Sequence, residues 1–169
     1  MAAKIRGWSP VAASRIKKTI PVELVMTKDI ARADVSLELL KARMEDAGYE
    51  TMTENSEMFV FRTGFSLRIQ NFFENASLRM RVHIFLNKEI TDAMLHSFVA
   101  KLNADSYSVK FSAYRWDDGD VGLFGDCVLY YPFGLNFPSF MFLLRRLIDV
   151  MQGVLKEYGE NSAYFPRKE

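Results

Sequence analysis

The spacing of hydrophobic positions changes several times along this chain, and each change marks an element. In residues 35–47, "VSLELLKARMEDA", Leu37, Leu40 and Met44 recur at helical spacing and Leu39 widens the apolar face, which predicts a helix from Val35 to Ala47. Asp34 or Ser36 can cap its start by accepting an orphan backbone N–H, and Gly48 offers a left-handed stop. The pattern then alternates. Residues 49–53 and 58–63 read as short strands around "ENSE". "FSLRIQNFF-ENAS-LRMRVHIFL" reads as two strands about a polar loop, with Leu78, Met80, Val82, Ile84 and Leu86 alternating with Arg79, Arg81, His83 and Phe85. Strict alternation buries one face and leaves the other wet or covered by a partner. A four-residue loop here pairs Phe73 with Leu78, Ile69 with Val82 inside, and Arg68 with His83 outside. A second helix is predicted from Thr91, its cap, to Asn103, with Met94, Leu95, Phe98 and Leu102 on one face.

Residues 117–126, "DDGDVGLFGD", hold four aspartates. Their flanks, "YSVKFSAYRW" and "VGLFGDCVLYY", are rich in aromatic and β-branched residues and read as strands, so Asp118-Gly119 marks a hairpin. A two-residue turn pairs Phe111 with Asp126, which mismatches the faces. A three-residue loop, Asp117-Asp118-Gly119, sets Tyr107, Val109, Phe111 and Ala113 inside against Leu129, Cys127, Gly125 and Leu123, and puts Lys110 opposite Asp126 outside. The alternation selects that loop, whose third residue must be left-handed, as Gly119 can be. A calcium loop begun at Asp118 needs glycine at 123 and glutamate at 129; both positions are Leu.

The last periodic stretch follows Pro138, which suits the first turn of a helix. One stripe holds Phe140, Leu143, Leu144, Leu147, Met151, Val154 and Tyr158, and a second holds Met141, Ile148 and Leu155. Two stripes exceed a one-sided packing. Either the helix sinks deep into its own fold, or part of it, with Met141 and Ile148, meets another chain. The second choice implies a homodimer, since a two-fold covers one apolar patch with itself. Gly153 permits close approach, Gly159 ends the helix, and residues 161–169 read as a tail.

Composition narrows the function classes. A chain of 169 residues with 49% hydrophobic and 14% aromatic residues suits one globular domain. The net charge of +1 does not by itself favour nucleic acid or membrane. Residues 1–20 carry Lys4, Arg6, Arg15, Lys17 and Lys18 with no acid, so the remainder is 1 − 5 = −4. That start reads as a phosphate-binding arm, a transit peptide or a solvated terminus. Residues 21–33 stay open between strand and helix, so 1–33 is set apart as an arm or extension. No stretch has the length of a spanning helix, and the one cysteine, Cys127, excludes an intrachain disulfide; a reducing, cytoplasmic setting is expected. His83 and His96 lack ligands at metal spacing, and Cys127 lacks a neighbouring base. There is no GxGxxG, phosphate loop or GxSxG. No catalytic, cofactor or metal residue is assigned, and the chain is expected not to be an enzyme.

The segments "SLELLKARMEDAGYE", "FVFRTGFSLRI", "LNADSYSVKFSAYRWDDGDVGL" and "FLLRRLIDVMQGVLKEY" resemble the YbjN-like family of bacterial proteins over residues 34–160. Its members are often labelled sensory-transduction regulators and share the type III secretion chaperone-like fold. The resemblance implies an α+β fold, an antiparallel sheet with helices packed on it, in the order helix, strands, helix, hairpin, helix. It also implies a dimeric interaction module binding a protein partner. The alternative is a binder of nucleic acid or another anion through the basic arm and a sheet face carrying Arg68, Arg79 and Arg81.

Overall fold

Ser36 starts the first helix: its Oγ accepts from Leu39 N at 3.1 Å, and α1 runs Leu37–Asp46 until Gly48, at φ +83°, turns the chain left-handed. Asp34 is not the cap; it lies in a short 3-10 turn, Arg32–Asp34. The computed structural model describes residues 29–62, 65–161 and 163–166, so the basic residues of 1–20 lie outside the described part. After α1 come β1 (Thr51–Glu54), β2 (Glu57–Arg62), β3 (Phe65–Phe72), β4 (Ser77–Leu86), α2 (Asp92–Asp105), β5 (Lys110–Arg115), β6 (Val121–Tyr130) and α3 (Phe137–Tyr158). The strands form one antiparallel sheet in the order β1-β2-β3-β4-β6-β5. This is the α+β architecture expected.

Turn chemistry sets the registers. Between β5 and β6, Lys110 faces Asp126, Phe111 faces Gly125 and Ala113 faces Leu123, as the three-residue loop requires. Gly119 sits at φ +84° and its N–H bonds to Trp116 O at 2.9 Å. Tyr107 departs from expectation. It is 97% exposed, because Ser106 Oγ accepts from Val109 N and holds a turn before β5 begins at Lys110. The β3–β4 register also differs, by two residues. Phe72 pairs with Ser77, Ile69 with Met80 and Arg68 with Arg81, not with His83. Phe73 leaves the strand for a 3-10 turn, Phe73–Asn75, and Ala76 at φ 45° closes the loop. A shift of two keeps every side chain on its predicted face but changes its neighbour.

Leu67 and Ile69 of β3, Leu78, Met80 and Val82 of β4, and Leu123 of β6 face inward and are fully buried in one core with residues of α1 and α3. Met151 of α3 fills the notch at Gly125, where a Cβ would lie 2.7 Å from its sulfur. Both stripes of α3 are used within the chain: Met141 is 0% exposed, and Ile148 is buried with Leu144, Leu147 and Met151. The expectation that Met141 and Ile148 meet a partner is therefore corrected. Both side chains lie in the chain's own core, and fully burying such a side chain contributes roughly 1.5–3 kcal/mol to the fold.

The edge at β5 is closed by α2. Asn103 Nδ2 donates to Phe111 O at 2.9 Å and its Oδ1 accepts from Phe111 N at 2.8 Å, so one amide replaces a missing strand. Described residues outside 34–160 also join the core. Ile30 is buried and forms a β-bridge with Leu135. Phe165 is buried, Tyr164 stacks on Phe98 with ring centroids 4.4 Å apart, and Asn87 N donates to Tyr164 O. The packed fold thus extends beyond 34–160, to Ile30 at one side and to Tyr164 and Phe165 at the other. Among the described residues no helix is long and apolar enough to cross a membrane.

Candidate interaction surface

The alternation that buries one face of the sheet carries a second set of side chains to the other. These include Glu57, Phe59 and Phe61 of β2; Arg68, Gln70 and Phe72 of β3; Arg79, Arg81, His83 and Phe85 of β4; Phe124, Asp126, Val128 and Tyr130 of β6; and Lys110 and Tyr114 of β5. Among the described residues, no helix lies across this face. Phe61, Phe72, Phe85, Tyr114, Val128 and Tyr130, all on it, are exposed large hydrophobics. Isolated exposed apolar residues need no explanation, whereas a group sharing one face marks a surface used in binding.

Charge occupies the middle. Arg79 and Arg81, two apart on β4, point the same way and reach across to Asp126 on β6. Their Nε atoms donate to Asp126 Oδ1 at 2.9 and 2.7 Å, and their Nη2 atoms to Oδ2 at 3.2 and 2.9 Å. Burial alone would raise the Asp126 pKa, but the hydrogen bonds and charges of Arg81 and Arg79 outweigh it and hold the carboxyl below its ordinary value. Arg68 pairs with Glu57 at 3.0 Å, and Gln70 donates to the same carboxylate. The structure therefore brings Arg68, Arg79 and Arg81 together, with Arg68 directly opposite Arg81. Met141 and Ile148 lie in the core and take no part in this face.

Beside the charges lies an aromatic shelf. His83 stacks on Phe124, centroids 4.8 Å apart and 12° between planes, and meets Phe85 and Trp116 edge-on. Gly122 makes the shelf possible: a Cβ there would lie 2.5 Å from Trp116 Cη2 and 2.6 Å from His83 Nε2. Arg81 adds a guanidinium 5.0 Å from the centre of the Phe124 ring. His83 Nε2 is buried without a hydrogen-bond partner, and burial, followed by the charges of Arg68 and Arg81, lowers the imidazole pKa to about 4. His83 is thus a neutral ring of the shelf at neutral pH.

Sequence reading missed Asp126 and Glu57 as the partners of these arginines. Asp126 was placed opposite Lys110, correctly, but its ion partners stand on its other neighbour, β4. Only the β4–β6 pairing shows this, and no local signal announces that pairing. The remaining acids of the hairpin stay at its tip: Asp118 accepts from Asp120 N, and Asp120 pairs with Lys88. Cys127 points to the core, where burial raises its thiol pKa. Among the described residues no three His, Cys, Asp or Glu side chains are grouped to hold a metal ion.

The fold aligns with the crystal structure of YbjN from E. coli, a proposed transcription regulator, at a TM-score of 0.65 and 15% sequence identity. The alignment covers 81% of this chain and 99% of that one, so the chain has a YbjN-like fold. No protein-family model and no curated protein sequence matches it.

Proposed function

We propose that this chain is a non-enzymatic protein-interaction module, a regulator or chaperone-like binder, and that its working surface is the open face of the sheet. One observation carries the reading: seven exposed large hydrophobic side chains, Met52 opposite Phe59 included, share a sheet face that no helix crosses among the described residues. The likeness in fold to a proposed regulator of transcription supports a regulatory role. The face offers rings, guanidiniums and carboxylates already bonded to one another, an arrangement suited to holding a partner. A photo-crosslinking residue in place of Tyr114, introduced in the native host, should capture a protein. The same residue in place of Phe142, exposed on α3, should not. Capture from 142 alone would move the working surface elsewhere.

A second reading, binding of nucleic acid or another anion, draws on the same Arg68, Arg79 and Arg81, with residues 1–20 supplying further charge. It predicts affinity for an oligonucleotide that falls steeply with salt. A homodimer through α3 has lost its support, because both stripes that suggested it are used within the fold.

A further inference from the structure

The open face has a sign that net charge hides. Its two paired carboxylates are sunk, Asp126 to 14% and Glu57 to 19% side-chain exposure, while Arg68, Arg79 and Arg81 remain 35%, 34% and 23% exposed. Lys110 on β5 is exposed as well. What reaches an approaching molecule is therefore positive. The cations run from β3 through β4 to β5, three strand spacings, or roughly 14 Å. Beyond this band the sign reverses. This holds on the β2 side, where Glu50 and Glu54 stand exposed.

We propose that this band docks a short acidic segment of a partner protein. That rests on the open face being the working surface. Alternate residues of an extended segment are about 6.6–6.8 Å apart, so carboxylates at i, i+2 and i+4 span the band. The intervening side chains of that segment face away from the sheet, so contacts with Phe85, Tyr114 and Tyr130 come from other parts of the partner. The length of the band is what separates this occupant from a nucleic acid. A phosphate backbone continuing past β3 meets these glutamates, whereas a segment with two or three carboxylates ends before reaching them.

Fluorescence anisotropy with the full chain tests this. The probes are a labelled peptide of about nine residues alternating Glu with Ser, its Gln-for-Glu counterpart, and a labelled oligo-dT of about 20 nucleotides. The Glu peptide should bind at least ~10-fold tighter than the Gln peptide and than the oligonucleotide, and weaken as salt rises. Arg79→Gln with Arg81→Gln should cost at least ~10-fold, circular dichroism confirming the fold. Should that pair fail to fold, Lys110→Glu, at an exposed position, should cost at least ~3-fold by the same charge logic. Equal binding of the two peptides, no binding of the Glu peptide, or indifference to the cation substitutions overturns the proposal. Tighter, arginine-dependent binding of the oligonucleotide also overturns it, in favour of nucleic acid. Protein crosslinks from position 114 that persist in the double Arg variant keep the surface and remove the acidic segment. Absence of protein crosslinks there removes the surface itself.

Discussion

His83 makes stability depend on pH in a window where few other groups titrate. Its ring lies among Phe85, Phe124 and Trp116, its Nε2 has no partner, and its pKa falls from 6.5 to about 4 through burial and the charges of Arg68 and Arg81. The unfolded chain therefore binds a proton between pH 6.5 and 4 that the folded chain refuses. Stability is fully present above 6.5, declines as pH falls through the window, and changes no further on this account below 4. At pH 5 the two pKa values correspond to about 2 kcal/mol, and solvent screening of an incompletely covered ring reduces this to roughly 1 kcal/mol. For a chain of this size that is about 2–4 °C in melting temperature. His83→Phe removes both the titration and the unpartnered nitrogen while keeping a flat ring in the stack. Urea unfolding of both proteins at half-unit steps from pH 7.5 to 4 gives a difference curve free of the carboxylates they share. The curve should climb in favour of His83→Phe as pH falls below 6.5. Parallel stabilities across the window would show that His83 titrates normally and that the shelf does not enclose it.

Asn103→Ala should cost roughly 1–3 kcal/mol in urea unfolding, through two lost hydrogen bonds to Phe111, and should make self-association concentration-dependent as the β5 edge opens. A change under about 0.3 kcal/mol would mean that water replaces the amide without loss. Gly119→Val should cost roughly 1–3 kcal/mol, because φ +84° is strained for a β-branched residue, and calcium or magnesium titrated by calorimetry into the native chain should give no heat. Met141→Asp should abolish folding or cost on the order of 4 kcal/mol, whereas Phe142→Asp, at a side chain 68% exposed, should change stability by no more than about 0.5 kcal/mol. Equal effects at these two adjacent positions would mean that α3 is rotated from the orientation described.

What was legible in the sequence was mostly local. The β5–β6 register followed from a glycine that only one loop length places correctly, and the Ser36 and Thr91 caps from oxygen-bearing residues ahead of apolar periods. The β3–β4 register was missed because it turns on Ala76 at φ 45°, and alanine gives no warning of a left-handed conformation. The acidic partner of Arg79 and Arg81 was missed for another reason. It stands 45 to 47 residues away, on a strand that joins β4 only after a helix and β5 have intervened. Periodicity shows how much of a helix is apolar but not what covers it, so the two stripes of α3 suited a partner and a deep core equally well. Tyr164 and Phe165 were read as tail because two aromatic residues are too few to show a period.

An open sheet with exposed rings invites stacking of one copy on another, and the charges of this face bear on that directly. The β1 edge is only four residues long and carries Glu50 and Glu54 near its ends, while the β5 edge is occupied by Asn103. Neither edge is a long, flat template for pairing. Face-to-face stacking about a two-fold would bring the same cationic band, Arg68, Arg79 and Arg81, against its own copy, with the neutralising carboxylates sunk beneath. Like-charge juxtaposition of that kind costs several kcal/mol, and the guanidiniums would lose water with nothing new to bond. A partner that brings carboxylates instead offsets the same desolvation with charge-assisted hydrogen bonds and still covers the rings. The apolar side chains provide adhesion to almost any protein surface; the exposed arginines over buried acids restrict which surface is accepted, and they count against a second copy of this chain.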